Sequence, residues 1–177
     1  MTDSVLILPG LNSSGPRHWQ TLWERAHPGF VRVEQRDWDR PDCQEWVETL
    51  EAYVEGASHP VLLVAHSLAC VTVAHWARAG ERRVRAALLV APADVDRPDA
   101  PPQIKNFAPV PLQKLPFPSV LVASHGDPHC AFDRAADFAR AWGSRLVNAG
   151  EVGHLNSASG HGPWPLGEEL LRELRAL

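Results

Sequence analysis

The stretch Val61-Leu62-Leu63-Val64-Ala65-His66-Ser67-Leu68-Ala69-Cys70 limits what this chain can fold into more than any other. Its first five residues are apolar and rich in Val and Leu. That is the signature of a strand buried on both faces of a parallel sheet. His66 and Ser67 follow with no spacer. Leu68, Val71, Thr72 and His75 then recur at helical spacing. Ser67 therefore stands where a central strand turns sharply into a helix, the position at which a hydroxyl can be held out at the carboxyl edge of a sheet above a helix N-terminus.

The usual form of such a nucleophile elbow is G-x-S-x-G, and here Ala65 and Ala69 occupy both glycine positions. The flanking residues must be small because strand and helix approach closely, and alanine is the smallest replacement. The strained backbone geometry of an elbow is expected to fall on Ser67 itself. Taken alone, the stretch is explained equally well by a serine capping an ordinary helix after a strand. Other parts of the chain must decide.

The rest of the chain alternates strand and helix. Ser4-Val5-Leu6-Ile7-Leu8 reads as a buried strand stopped by Pro9-Gly10. A turn-rich loop to Pro16 and a helix beginning at His18-Trp19 follow. Phe30 to Val33 is a weaker strand. Pro41-Asp42 opens a helix with Trp46, Val47, Leu50 and Val54 on one face. After a polar turn at Gly80-Glu81-Arg82-Arg83, Arg85 to Ala91 is another buried strand. Ser119 to Ala123 and Arg145 to Asn148 complete the set. Helices are expected at Phe132 to Trp142 and at the amphipathic tail, Pro165 to Leu174. Between Pro92 and Pro118 lie eight prolines, which exclude long helices. This segment is expected to be an extended flap along one wall of a site, with Phe107 and Leu112 packed onto the body.

The expected fold is therefore α/β: a three-layer sandwich with a mostly parallel sheet of about six strands, one domain over residues 1–177, and no lid domain. A chain of 177 residues is long enough to bury a full core. In such sheets ligands bind outside the carboxyl ends of the strands. The net charge of −4 gives no basis for binding nucleic acid or an anionic membrane. Cys43, Cys70 and Cys130 are widely spaced and form no C-x-x-C pair, which fits free thiols in a reducing compartment. The start, Met1-Thr2-Asp3-Ser4, lacks the regions of a signal peptide, and no apolar run approaches membrane-spanning length. A cytoplasmic location is expected.

Two further residues fall on loops at the same sheet edge as Ser67. Asp127 lies in Ser124-His125-Gly126-Asp127-Pro128-His129, just past a strand. His154 lies in the Gly-punctuated loop after the last strand. A serine hydroxyl needs a base in the transition state, a neutral imidazole suits that task, and a carboxylate behind the imidazole fixes its tautomer. The order Ser67, Asp127, His154 is that of α/β-hydrolases. His161 is the rival base and Asp94 the rival acid. His66 precedes the nucleophile, so its side chain is expected to point away from a base position. The expected oxyanion donors are the N–H of Leu68 and that of Leu11 or Asn12. His125 and His129 flank Asp127, but Gly126 and Pro128 disfavour the helical spacing a metal pair needs. No metal is expected.

These residues carry a resemblance. Pro9-Gly10 with His18-Trp19, the Ala65-His66-Ser67-Leu68 elbow, Ser124 to Pro128, Gly153-His154-Leu155-Asn156 and Gly160 to Gly167 resemble the small, lid-less serine hydrolases of the α/β-hydrolase fold typified by retinoblastoma-binding protein 9. The likeness spans nearly the whole chain and departs from the family's pattern at Ala65 and Ala69. It implies a catalytic triad of Ser67, Asp127 and His154, an acyl-enzyme, and no cofactor. The expected substrates are small carboxylic esters or amides. The alternative is a weakly active or non-catalytic protein-binding module on the same scaffold, because a fold alone does not establish activity.

Overall fold

The computed structural model describes residues 4–80 and 83–177. Met1, Thr2 and Asp3, and Glu81 and Arg82 of the expected polar turn, lie outside the described residues. Six strands form one sheet: β1 (Val5–Leu8), β2 (Phe30–Arg32), β3 (Val61–His66), β4 (Val84–Val90), β5 (Ser119–Ala123) and β6 (Arg145–Asn148). Their order is β2-β1-β3-β4-β5-β6, and every neighbouring pair is parallel. The sheet is thus wholly parallel, where the sequence pattern predicts only a mostly parallel one.

Alternation along each strand divides the core into two layers. Leu6, Leu8, Leu63 and Ala65 face α2 (Cys43–Gly56), α3 (Leu68–Ala77) and α4 (Phe132–Trp142). Val5, Ile7, Leu62 and Val64 face α1 (Trp19–Ala26) and α5 (Pro165–Arg175), where Trp19, Trp23 and Trp164 form a cluster. Helices on both faces bury the central strands β1, β3, β4 and β5 almost completely, which is why they read as apolar runs, while the edge strands β2 and β6 are partly exposed. Local chemistry sets the helix ends. The Asp42 carboxylate accepts the Glu45 N–H at the start of α2, and Gly143, at φ 71°, closes α4.

The helix α3 is buried on all sides except at His75, because the sheet, α2 and the flap surround it. The flap contains a 3₁₀ turn at Pro102–Phe107. Phe107 is fully buried as expected, but Leu112 is not packed onto the body: it is 52% exposed. The first half of the flap, with Ala93, Asp94, Arg97, Pro101 and Ile104, lines the cleft at the sheet edge. The whole is a single compact domain without a lid. No helix among the described residues is long and apolar enough to cross a membrane.

The chain leaves β1 for β2 on one side and returns to β3 on the other, so the strand order reverses between β1 and β3. A crevice opens at such a switch point, at the carboxyl ends of the strands. The loop after β1 and Ser67 after β3 flank it.

Candidate active site

Ser67 stands between β3 and α3 with φ 58° and ψ −121°, a conformation that costs an L-residue on the order of 1–3 kcal/mol. Ala65 and Ala69 carry no such strain: they lie in regular strand and helix, 0% and 2% exposed. Methyl groups fit where the usual pattern has hydrogen. The turn is held from both sides. Its N–H donates to the Val90 carbonyl at 2.9 Å, and its carbonyl accepts the N–H of Cys70 at 3.0 Å.

The three polar residues expected at the sheet edge meet there. His154 Nε2 lies 2.9 Å from Ser67 Oγ. His154 Nδ1 lies 2.9 Å and 2.8 Å from the two Asp127 carboxylate oxygens. A carboxylate only accepts, so Nδ1 carries the proton and Nε2 is left to accept from the Ser67 hydroxyl. Asp127 also accepts the His129 N–H at 2.8 Å, which folds the Gly-Asp-Pro turn around its side chain. The Asp127 and His154 side chains are nearly enclosed. This is the arrangement in which an imidazole can take a proton from a serine hydroxyl and a carboxylate can stabilise the resulting charge.

The rivals are occupied elsewhere. His161 contacts Ser159 Oγ. Asp94 pairs with Arg134 and bonds the N–H of Asp96 in its own turn, although it lines the same cleft. His125 stacks on Phe132, while His129 packs edge-on against His154, so the two do not converge.

Of the expected oxyanion donors, Leu68 and Leu11 lie at the cleft with Ser67. Leu68 is the first residue of α3, so its N–H has no intrahelical acceptor. Asn12 lines the cleft but does not offer its N–H, which donates to the Trp38 carbonyl at 2.9 Å. Asn12 and Ser13 both turn through left-handed φ values, 63° and 62°.

Four residues shape the site without a forecast role. Ser124 Oγ donates to the Gly150 carbonyl and accepts the N–H groups of Gly126 and Val152, tying the Asp127 loop to the His154 loop. His66 is buried and its Nε2 reaches the His154 carbonyl. It does point away from the base position, but onto the base's own backbone. Trp19 Nε1 donates to the Leu155 carbonyl. His18 is buried beside His66, and burial pushes its imidazole down to about 4. The signal for these was adjacency: His66 to the nucleophile, and His18-Trp19 to the start of a helix beside the first loop.

The cleft over Ser67 measures about 270 Å³. Its lining mixes apolar residues, Leu68, Ala93 and Ile104 among them, with polar ones such as His18, Asp94 and Asn156.

A family model described as serine hydrolase matches residues 5–173. The chain is similar to the solved structure of a YdeN-like hydrolase from Pectobacterium atrosepticum, with 34% identity and a TM-score of 0.87 over 97% of this chain and 89% of that one. It is similar to the ydeN gene product of B. subtilis, with 20% identity and a TM-score of 0.80 over 99% and 100%. An esterase domain from a Rhodothermus marinus protein has 19% identity and a TM-score of 0.69 over 97% and 87%. At those last two identities the likeness is one of fold. No curated protein matches the chain.

Proposed function

The chain belongs to the serine hydrolase family, and from that premise we propose that it cleaves small carboxylic esters or amides through an acyl-enzyme. The observation that carries this reading is the continuous relay from Ser67 Oγ through His154 to Asp127, at 2.9 Å and 2.8 Å. Ser67 Oγ attacks the acyl carbon while His154 Nε2 takes its proton. The oxygen of the tetrahedral intermediate lies against the N–H groups of Leu68 and Leu11. The proton then passes from His154 to the leaving alcohol or amine as its bond to carbon breaks. Water repeats the sequence on the acyl-enzyme and returns Ser67 to its hydroxyl form. No cofactor is required.

Substrate size follows from the cleft. A volume of about 270 Å³, bounded by a short flap rather than a lid domain, suits a short acyl group better than a long lipid chain. The polar residues in the lining, His18 and Asn156 among them, suit an oxygen-bearing substituent. The three free cysteines, two of them buried, fit a cytoplasmic location.

The test is labelling with a fluorophosphonate probe, beside Ser67→Ala and His154→Ala. Rapid labelling of the wild-type protein, lost in both variants, is the expected result. On a short-chain p-nitrophenyl ester, each variant should lose on the order of 10⁶ in kcat. An unlabelled wild-type protein would overturn the reading in favour of a binding role on the same scaffold, as the resemblance to retinoblastoma-binding protein 9 suggests.

A further inference from the structure

The backbone that carries His154 is unusual. Gly153 and Leu155, the residues on either side, both adopt left-handed φ values, 67° and 50°. Leu155 has a branched side chain, for which this region is unfavourable, so something outside the loop must hold it there. The carbonyls of His154 and Leu155 accept from two side chains of other elements, His66 Nε2 at 2.9 Å and Trp19 Nε1 at 2.8 Å. Both donors sit on rigid elements, at the last residue of β3 and the first residue of α1.

We infer that His66 is a positioning residue for the general base, holding the His154 backbone through its Nε2–H and so fixing the base relative to the nucleophile. The inference rests on the hydrolase reading for its kinetic consequence, though not for the contact itself. His66 and Ser67 share a peptide bond. One short piece of chain therefore sets the nucleophile on one side and the loop of its base on the other.

The chemistry of the donor is suited to the task. A carbonyl oxygen only accepts, so the contact fixes the Nε2–H tautomer of His66. The ring is 5% exposed and packs against the rings of His154 and His18, each with centroids 4.8 Å away. Burial, with the nearby His154 and His18, pushes His66 well below the ordinary imidazole range. It therefore stays neutral. A neutral donor can hold the base loop without opposing the positive charge that His154 takes up during proton transfer. A lysine or arginine in its place would oppose that charge. His66 donates to backbone and moves no proton of the reaction, so its role is positioning.

The test compares His66→Leu, which keeps bulk and removes the donor, with His66→Gln, whose amide nitrogen can reach the same carbonyl. Three quantities are read: kcat and KM on p-nitrophenyl acetate, the rate of fluorophosphonate labelling, and the downfield proton resonance of His154 Nδ1–H bonded to Asp127. Loss of the donor is expected to lower kcat and labelling by about 10- to 100-fold with little change in KM, because displacement of the base acts on the transition state. The downfield resonance should broaden or shift in His66→Leu, and His66→Gln should recover most of both signals. Should His66→Leu fail to fold, His66→Asn takes its place, since its amide stops short of the carbonyl. Wild-type kcat and an unmoved resonance in the donor-less variant would overturn the inference. So would His66→Gln being as impaired as His66→Leu. If the wild-type protein itself does not react with the probe, the hydrolase reading falls, and the resonance alone decides the positioning role.

Discussion

At Gly10 the first loop passes so close to the elbow that a Cβ would lie 2.9 Å from the His66 carbonyl oxygen, 2.9 Å from Ser67 Cβ and 3.1 Å from Leu68 N. Two of those atoms belong to backbone, which cannot swing aside. The contact sets the first loop, with Leu11, against the start of α3. Gly10→Ala should therefore push that loop off the elbow and part the two proposed oxyanion donors, the N–H groups of Leu11 and Leu68. The expected outcome is a fall in kcat of about 10²-fold or more, the scale of losing one such donor, with KM nearly unchanged. Steady-state kinetics on a short ester, with a thermal melt to show that the fold persists, checks it. The Ser67, Asp127 and His154 positions were legible because each polar residue follows an apolar run directly. The partner of the Asn12 N–H was not legible. That N–H is taken by Trp38, a residue on a loop far away in sequence, and only the tertiary fold brings that carbonyl near.

Among the elements, the four central strands could be read to within a residue or so because burial on both faces makes them almost uniformly apolar. The flap could be read only by what it lacks. Its prolines exclude a long helix, but they do not say which side chain anchors it. Phe107 is one of several that do, with Val95, Val110 and Leu115 also buried. It is fully buried, its ring meets Trp46 edge-on at 5.7 Å, and its carbonyl lies 2.7 Å from His75 Nε2 on α3. Leu112, similar in hydrophobicity and only five residues on, stays in solvent. Phe107→Ala is expected to cost about 3–5 kcal/mol, the range for emptying a buried aromatic site. It should also raise KM, because Ile104 in the same 3₁₀ turn lines the cleft. Urea unfolding gives the first quantity and ester kinetics the second.

Across the whole molecule, two buried histidines make stability depend on acid. His18 titrates at about 4 and His66 is held well below the usual range, burial being the main cause for both. In the unfolded chain such groups titrate near 6.5. Below that value the unfolded chain binds protons that the folded protein refuses, so stability is lost as pH falls. For His18 the loss runs from about 6.5 to about 4, and His66 adds a loss of the same sign that starts below 6.5. Each histidine contributes a slope of about 1.4 kcal/mol per pH unit within its window. The urea midpoint should fall steadily between pH 6.5 and 4.5, and His18→Asn should flatten the decline. A midpoint independent of pH over that range would contradict the burial of both rings.

The sequence by itself determined the elements and their order, and with them the edge at which Ser67, Asp127 and His154 must lie. Apolar runs, Gly-Pro breaks and helical spacing are local properties, and a parallel sheet carries every strand's carboxyl end to one side. The tertiary structure alone decided the finer contacts: the Asn12 N–H on the Trp38 carbonyl, Phe107 rather than Leu112 packed on the body, and His66 on the backbone of His154. Those depend on hydrogen bonds and packing between residues far apart in the chain, such as the 88 positions that separate His66 from His154. No local pattern encodes a contact across that distance. It exists only once the strands have paired.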